Sequence, residues 1–534
     1  MHPIRLVETW CILTASPLNG VQSSQMRLSV IQGQIQTTPA DAIIVNLFEG
    51  VTVPGGATGA VDAALRLGKA EAHGAISQLI HLGDLTGRLN EVGVVYTYNQ
   101  LPAPRVFIAG LGKREAFTLD RIRQASGSAV RKARDLGCRR VATIVHGSGI
   151  GGLDPQRAAQ ATVEGALMGS YQFSEHKSQA DDRAIEELLV VEYDGSKLDA
   201  VKAGARAGEA IARAVNAARS LINRAPNVLY PDAFAQAARE MAAQHGLQCV
   251  VLTKAEIATA GMGGVLAVSQ GSQHPPRFVI LEYVPEGQEG EMPPLVFIGK
   301  GVTFDTGGIS IKPSDGMQAM KADMSGAAAV FGAMQAIADL KARRRVIGLL
   351  PLVENMPSGN AYRPGDVLTM MSGLKVEVVS TDAEGRLILA DALHYAKRYR
   401  PRGVVDLATL TGACVVALGE GIAAGVFSNN DDWCAAVLRA ADEQGERMWR
   451  LPLYSEYGDK IKSDVADIKN SGGRTGGVGT SAYFLYHFVQ GEGEYPWVHV
   501  DMAGMTFSPE NKGYLVKGAM GYGVRTLVAL AQAE

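Results

Sequence analysis

The chain has 534 residues, too many for one ordinary hydrophobic core, and this length predicts more than one domain. Hydrophobic residues make up 47% and charged residues 20% of the chain, a balance that argues against disorder. The net charge of −3 comes from mixed acidic and basic residues, which argues against nucleic acid as a partner. No run approaches the roughly 18 apolar residues of a membrane span, so we expect no membrane association.

Residues 1–25 differ from the rest of the chain, because their apolar pieces are short and are interrupted by Glu8 and Pro17. They lack the apolar core of a secretory signal, and we predict a disordered extension ahead of a strand at 27–31. The five cysteines are widely spaced and form no C-x-x-C pair, which argues against a disulfide framework or a zinc knuckle. These features favour a cytoplasmic protein.

Residues 26–198 alternate between short β-rich runs and helical runs, which predicts an N-terminal α/β domain with a largely parallel sheet. The predicted strands are 27–31, 42–45, 105–109, 140–145 and 188–192, and the predicted helices are 119–136 and 156–170. An alanine-rich run over 200–222 stops before Pro226, and residues 199–226 are predicted to form a connecting helix.

A second α/β series fills residues 227–534 and predicts a larger domain. Its predicted strands are 247–253, 277–284, 295–299, 346–353, 375–380, 404–408 and 496–501. The fold expected for the whole chain is therefore two α/β domains, joined by a helix.

A glycine motif in the first domain resembles a nucleotide-binding loop. The segment Gly147-Ser-Gly-Ile-Gly-Gly152 matches G-x-G-x-x-G and comes after a predicted strand. A nicotinamide dinucleotide site would also need an acidic residue at the end of the next strand, about 20 residues on. That distance falls inside the helical run around Glu164–Met168. We therefore interpret the motif as a glycine-rich turn between a strand and a helix.

Charged residues gather after apolar runs between residues 295 and 412. They are Lys300, Asp305, Lys312, Asp323, Asp382, Glu384 and Arg386. Strand ends in open α/β sheets meet at one edge, where ligands bind. Asp382 and Glu384 alternate at period two and can point the same way, while Met320 and Asp323 share a helix face.

Four carboxylates at one edge repel one another unless cations lie among them. Their oxygens suit Mg, Mn or Zn, and bridging carboxylates allow two metals roughly 3.5–4 Å apart. The sequence therefore predicts a centre with two divalent metals.

Longer motifs surround these residues and carry a family resemblance. They are Glu354-Asn-Met-Pro-Ser-Gly-Asn-Ala-Tyr-Arg-Pro-Gly-Asp366, Asp382-Ala-Glu-Gly-Arg-Leu387, Asp406-Leu-Ala-Thr-Leu-Thr-Gly412 and His499-Val-Asp-Met-Ala-Gly504. They resemble the leucyl aminopeptidase family, the M17 metallopeptidases. The resemblance implies a smaller, macro-like N-terminal domain (26–198) and a larger catalytic domain (227–534) with a mixed, mostly parallel sheet.

The resemblance also implies a role for each residue. One metal, Mn or Zn with Mg as an alternative, would be bound by Asp305, Asp382 and Glu384. The other would be bound by Lys300, Asp305, Asp323 and Glu384. Lys312 would stabilise the oxyanion, and Arg386 would hold a bicarbonate ion that acts as the general base. The substrate-binding residues would be Met320, Thr409, Leu410, Gly412 and Ala503.

By the same resemblance the protein would be a homohexamer that removes apolar, Leu-like residues from the N-termini of peptides. Two alternatives stay open at this point: a family member that serves as a scaffold, and another two-metal hydrolase such as a phosphoesterase. Every ligand residue is present, which disfavours the scaffold. None of the ten histidines falls in the three segments that carry the metal ligands, around Lys300, Asp323 and Asp382, which disfavours a phosphoesterase.

Overall fold

The N-terminal half of the protein is built on one sheet. The structure, a computed structural model, describes residues 26–66, 73–149, 151–179, 183–287 and 292–533, so the extension predicted at 1–25 lies outside the described residues. The strands of this half are β1 (Arg27–Gln32), β2 (Ala42–Leu47), β3 (Val92–Tyr96), β4 (Arg105–Gly110), β5 (Arg140–Ile144) and β6 (Glu187–Glu192). The helices are α1 (Gly56–Ala64), α2 (Ala75–Leu82), α3 (Leu119–Asp135) and α4 (Pro155–Gly169).

These six strands are hydrogen-bonded in the order β1-β6-β5-β2-β4-β3. All neighbours run parallel except the edge pair β3–β4. The central strands are apolar on both faces, as a parallel sheet covered by helices requires. The alternation read in the sequence therefore corresponds to an α/β sheet.

One long helix, α5 (Leu198–Asn223), comes after the sheet and ends three residues before Pro226. It lies closely against α4, because glycines replace side chains at the contact. A Cβ atom on Gly204 would lie 2.0 Å from the carbonyl oxygen of Gln156, and one on Gly208 would lie 2.5 Å from that of Gln160. The apolar side of α5 contributes to a core that continues into the second half of the protein.

The second half contains fourteen further strands and ten further helices among its described residues. The strands are β7 (Gln248–Leu252), β8 (Arg277–Tyr283), β9 (Leu295–Gly299), β10 (Gly301–Asp305), β11 (Val346–Asn355), β12 (Val367–Thr369), β13 (Lys375–Glu377), β14 (Gly403–Ala408), β15 (Ala424–Ser428), β16 (Met448–Arg450), β17 (Ile468–Lys469), β18 (Trp497–Asp501), β19 (Phe507–Ser508) and β20 (Gly518–Ala519). The helices are α6 (Pro231–His245), α7 (Lys254–Thr259), α8 (Gly263–Ser269), α9 (Ser325–Asp339), α10 (Gly385–Ala396), α11 (Gly412–Leu418), α12 (Asp431–Glu443), α13 (Glu456–Asp459), α14 (Gly477–Tyr486) and α15 (Val524–Gln532).

A nine-stranded mixed sheet forms the centre of this half, in the order β16-β15-β18-β14-β9-β11-β8-β7, with β10 also paired to β11. The central strands β18, β14, β9 and β11 are mutually parallel, whereas the pairs β11–β8, β8–β7 and β18–β15 are antiparallel and β15–β16 is parallel again. This is the mixed, mostly parallel sheet that was expected. Because the central strands are parallel, their carboxyl ends open on one edge.

One strand prediction is wrong at its end. The run predicted as a strand over 375–380 leaves the sheet after Glu377, where β13 ends. The amides of Val379 and Ser380 donate to the Asn470 side chain instead of to a neighbouring strand. Asp382 and Glu384 therefore do not alternate along a strand. Asp382 lies in a loop, and Glu384 occupies the position just before the first residue of α10.

Candidate metal centre

The charged residues lie at the edge of the large sheet, at positions where strands or helices end. Lys300 stands between β9 and β10, and its amide still donates to Leu407 of β14 at 3.0 Å. Asp305 is the last residue of β10. Asp323 comes directly after a short 3-10 helix, Met317–Ala322, where an α-helical turn was expected. Lys300, Asp305 and Asp323 therefore each lie at the end of a strand or a helix.

The structure brings these side chains together in a compact cluster. The Lys300 Nζ lies 2.8 Å from Asp323 Oδ1 and 2.9 Å from Glu384 Oε1. The Lys312 Nζ lies 2.8 Å from Asp305 Oδ2 and 2.5 Å from Asp382 Oδ1. Carboxylate oxygens of Asp305, Asp382 and Glu384 all lie within 4.8 Å of one another, close enough to hold a metal ion together.

Burial of the carboxylates, together with their mutual repulsion, perturbs the protonation of the cluster. Burial raises the pKa of Asp305 to about 6, and repulsion from Glu384 adds to the effect. Burial likewise raises the pKa of Asp323 to about 8. Such carboxyls hold protons at a pH where exposed ones are ionised. Divalent cations among them would favour the ionised forms.

Two buried oxygens support a metal as the missing partner. Asp323 Oδ2 and Glu384 Oε2 are buried and make no hydrogen bond to the residues that the structure describes. Unpartnered carboxylate oxygens cost free energy unless a cation binds them. The donor set of four carboxylates therefore fits divalent metals.

Lys300 can join this set of metal ligands only if its amine loses a proton. Burial lowers the pKa of this lysine, but Asp323 and Glu384 outweigh burial and hold it above its usual range. Its nitrogen can donate a lone pair to a metal only when neutral. Metal binding at this position must therefore release a proton, and we expect affinity to increase with pH.

Two uncharged side chains that the sequence did not single out, those of Asn355 and Tyr362, hold the cluster in place through hydrogen bonds. Asn355 Nδ2 donates to Asp305 Oδ1 at 2.8 Å and to the Thr381 carbonyl at 3.0 Å, and the Tyr362 hydroxyl donates to the same carbonyl at 2.8 Å. This carbonyl immediately precedes Asp382. Asn355 and Tyr362 lie in the family-like motif over 354–366, but nothing in their residue types indicated these contacts.

Arg386 lies beside the carboxylates, in the first turn of α10, and is almost fully buried. Its Nη1 donates to the Asn470 carbonyl at 2.8 Å, which fixes the guanidinium plane. Its Nε is buried and makes no hydrogen bond within the described part of the chain. Burial lowers the pKa of Arg386 to about 10, so the group remains a cation at neutral pH. A fixed cation with an unused donor can hold a small anion.

The predicted substrate-binding residues fall into two groups. Thr409 belongs to the cluster, since its Oγ1 donates to Asp323 Oδ1 at 2.7 Å and its carbonyl accepts from Lys300 at 2.9 Å. Leu410 and Ala503 are brought together by Asp501, whose Oδ1 accepts from both backbone amides at 3.2 Å. Asp501 itself was not predicted as a site residue.

The other two residues predicted to bind substrate are Met320 and Gly412, and neither contributes a side-chain hydrogen bond to the described residues of the cluster. Met320 lies half-buried in the 3-10 helix before Asp323, and Gly412 is the first residue of α11. Their part in substrate binding stays a prediction.

The fold and the cluster define a class of protein, a hydrolase whose buried carboxylates and lysines are arranged for divalent metals. Comparison with known proteins identifies the family. The family model "Cytosol aminopeptidase family, catalytic domain" matches residues 216–528, and the corresponding N-terminal domain model matches residues 44–180. The chain belongs to the cytosol aminopeptidase family, and the enzyme class is M17 aminopeptidase. The resemblance read from the motifs is thereby confirmed.

Individual relatives cover nearly the whole chain. A probable cytosol aminopeptidase of Geotalea uraniireducens is 44% identical over 85% of this chain and 90% of its own length. One of Roseiflexus castenholzii is 43% identical over 94% of this chain and 98% of its own.

Two solved structures share the fold. The bottromycin maturation enzyme BotP in complex with Mn is 34% identical, with a TM-score of 0.80 over 92% of this chain and 99% of that one. A mutant of tomato leucine aminopeptidase is 29% identical, with a TM-score of 0.83 over 95% of this chain and 96% of that one. None of the helices that the structure describes is long and apolar enough to cross a membrane.

Proposed function

We propose that the protein removes the N-terminal residue of peptides with two divalent metals bound in the carboxylate cluster. The observation that carries this proposal is the convergence of Asp305, Asp382 and Glu384 within 4.8 Å, with Lys300 bridging Asp323 and Glu384. Asp305, Asp382 and Glu384 would hold one ion; Lys300, Asp323, Asp305 and Glu384 would hold the other. Bound ions would polarise the scissile carbonyl and lower the pKa of the attacking water.

Lys312 would stabilise the charge that develops on the carbonyl oxygen. Burial lowers the pKa of this lysine, but Asp305, Glu384 and Asp382 outweigh burial and raise it above its usual range, so it is a cation at neutral pH. It remains about one-fifth exposed, at 22%, so a substrate can reach it. A cation already positioned when charge develops contributes most to the transition state.

Arg386 would hold bicarbonate as the general base. All four carboxylates of the cluster are metal ligands in this proposal, which leaves none of them for proton transfer. The described surroundings of Arg386 support an anion instead, because its Nε is buried without a partner. Bicarbonate bound to a fixed guanidinium can accept a proton from the attacking water.

This assignment is tested by adding bicarbonate to enzyme kept free of carbonate. We expect turnover of an aminoacyl amide to rise with bicarbonate in the wild type. Arg386→Ala should lose most activity and all of this response while its metal content stays unchanged. Arg363→Ala is the matched control, because Arg363 is an exposed arginine paired with Asp366, and it should respond like the wild type. A wild type indifferent to bicarbonate, or an Arg386→Ala variant that still responds, would contradict the role of Arg386.

We further propose that the first side-chain pocket accepts apolar, Leu-like residues, with Met320, Thr409, Leu410, Gly412 and Ala503 as its lining. A panel of aminoacyl amides that differ only in the side chain tests this preference, and it is contradicted if charged residues are released fastest. Mn or Zn as the metal, a cytoplasmic location and a homohexamer complete the proposal. Family membership supports them, and light scattering measures the oligomer directly.

A further inference from the structure

A cavity of about 810 Å³ lies in the N-terminal half, and the metal cluster contributes no residue to it. Its lining comes mainly from the segments that come after β2, β5 and β6, at the carboxyl ends of these parallel strands. Concave spaces of this size are few in a protein and are preferred ligand sites, so this one needs a reason. The aminopeptidase reaction gives none.

The cavity lies between β2 and β5, where the direction in which successive strands are added to the sheet reverses. After β2 the chain continues to β3 and β4 on one side of β2, and after β4 it returns to β5 on the other side. The connections that leave β2 and β5 therefore diverge and open a crevice between the two strands. Crevices at such reversal points are where open α/β sheets bind ligands.

The floor of the crevice is held by hydrogen bonds that join Asn46 of β2 to the segment after β5 and to helix α1. Asn46 Nδ2 lies 3.0 Å from His146 Nδ1, and the Thr58 hydroxyl donates to the Asn46 carbonyl at 2.7 Å. Burial lowers the pKa of His146 to about 4, so its ring is neutral at physiological pH. The floor is thus rigid and uncharged, which leaves the rim to recognise a ligand.

The rim offers groups that bind phosphate. Helix α1 starts at the cavity after Gly55, with no side-chain cap and no acidic residue in its first turn. Gly147, at a φ of +88°, begins the glycine loop after β5, and Gly147, Ser148 and Gly149 line the cavity. Backbone amides of such glycine-rich turns can bind anions. Lys197 lies beside this loop, with its Nζ 3.5 Å from the carbonyl of Ser148 and 3.8 Å from Asp194 Oδ2.

The structure also supplies the acidic residue that the glycine motif lacked in sequence. The strand after α4 is β6, which lies parallel beside β5 and ends at Glu192. Glu192 lines the cavity, although it comes much later in the chain than the roughly 20 residues of the dinucleotide motif. The long segment between α4 and β6 accounts for the difference. In nucleotide sites, an acidic residue at this place accepts hydrogen bonds from ribose hydroxyls.

The carboxylates also discriminate between ligands. Glu49 and Glu192 both line the cavity and would repel a bare phosphate ion. A ligand that has hydroxyl groups beside its phosphates can donate a hydrogen bond to one of these carboxylates. Phe48, whose ring faces the Arg114 guanidinium at 5.9 Å, adds an aromatic surface. These features favour a nucleotide over inorganic phosphate.

We propose that this cavity binds a nucleoside diphosphate, with its phosphates at the start of α1 and the glycine loop and its ribose at Glu192. The site is separate from the peptidase centre, so the protein has a second ligand. The proposal does not depend on the metal mechanism.

Calorimetric titration of the full-length protein with ADP tests the proposal. We expect saturable binding to the wild type, and adenosine or pyrophosphate alone should each bind at least about tenfold more weakly, because each makes only part of the contacts. Lys197→Glu should weaken ADP binding by about tenfold or more. Lys132→Glu, which reverses an exposed charge on α3 outside the cavity, should bind ADP like the wild type. Both variants should retain peptidase turnover.

Glu192→Gln separates the nucleotide from its phosphates. It should weaken ADP and leave pyrophosphate unchanged or tighter, because the ribose partner is altered and a negative charge is removed. The proposal is overturned if ADP does not bind at millimolar concentration, or if pyrophosphate binds as tightly as ADP. It is also overturned if Lys132→Glu weakens ADP as much as Lys197→Glu does.

Discussion

At the scale of the residue, the centre depends on two lysines that balance four carboxylates in different ways. Lys300 is almost fully buried between Asp323 and Glu384, whereas Lys312 is partly exposed and joins Asp305 to Asp382. In the proposed mechanism the buried lysine would serve as a metal ligand, and the partly exposed one would meet the substrate. The difference in burial between the two lysines is the observation that supports different roles.

Replacing Lys312 by alanine tests its part. We expect kcat to fall by roughly 10²–10³-fold with a much smaller change in KM, because a cation aimed at developing charge acts mainly in the transition state. Steady-state kinetics with an aminoacyl amide measure both constants. Lys321→Ala is the matched control, since Lys321 donates to the Asn223 carbonyl outside the cluster, and it should retain kcat. A raised KM with unchanged kcat for Lys312→Ala would make Lys312 a plain substrate-binding residue.

The charged residues of the centre could be proposed because several of them come after an apolar run or a glycine and all of them lie in motifs that resemble one family. The residues that orient them could not be predicted in this way. Asn355 and Asn470 act through one amide group each, and a lone asparagine has no sequence signal. Asp501 lies in the family-like motif over 499–504, but its role depends on bringing together segments about 90 residues apart. Such contacts are properties of the folded chain.

At the scale of the element, helix α10 starts at the metal centre and needs a glycine there. A Cβ atom on Gly385 would lie 2.5 Å from Lys300 Cε and 2.7 Å from its Nζ. Lys300 cannot turn away easily, because its Nζ is held by Asp323, Glu384 and the Thr409 carbonyl. The close approach of α10 to Lys300 is therefore part of the site.

Gly385→Ala should displace the Lys300 amine and lower turnover by about 10²-fold, because misplacement of a reacting group by about 1 Å has this effect. The fold should survive, since alanine is favoured in a helix. Kinetics and circular dichroism measure the two effects. Gly359→Ala is the control, because a Cβ atom there meets nothing within 4 Å. Full activity in Gly385→Ala would show that Lys300 tolerates displacement.

The same helix contains a buried acid that should make stability depend on pH. Asp391 accepts hydrogen bonds from the amides of Val265 and Met371, and burial raises its pKa to about 7. Its pKa in the unfolded chain is about 3.9. The folded state therefore binds the proton more tightly, and the resulting stabilisation is lost as pH rises from about 4 through 7.

Asp391→Asn should reduce this dependence, because an amide does not titrate in this range. Chemical unfolding of both proteins at several pH values between 4 and 8 measures the effect. The free energy of unfolding of the wild type should fall more steeply with rising pH than that of Asp391→Asn. The stability of the variant relative to the wild type should therefore be greatest at pH 8. A difference that is constant across this range would contradict the raised pKa.

The elements themselves were predicted best where they are long and regular. Strand 295–299 and helices α3, α4 and α5 were predicted to within about two residues. Several strands were missed, among them β3, β10 and β15. β3 and β15 each have a glycine as their second residue, which weakens the sequence signal of a strand. β10 comes after β9 with a single residue between them, so that the two read as one run with a break. The end of the strand at 375–380 was wrong because Asn470, distant in sequence, takes the place of a strand partner.

At the scale of the whole molecule, two α/β sheets share one hydrophobic core through α5 but carry different sites. Both sites lie at carboxyl ends of parallel strands, which is where this class of sheet leaves space. The larger sheet places carboxylates there, and the smaller one places glycines and a lysine. The family resemblance predicted the first site in detail and left the second unexplained.

The count of metal ions per chain tests the central claim most directly. After loading with Mn and removal of free metal, elemental analysis of the wild type should give two ions per chain. Asp305→Ala and Glu384→Ala should each lose metal and turnover together, because each residue is proposed to bind both ions. Asp315→Ala, which removes an exposed carboxylate of the same region, should keep both. One ion per chain in the wild type, or more than about a tenth of the wild-type kcat in either ligand variant, would contradict the two-metal account.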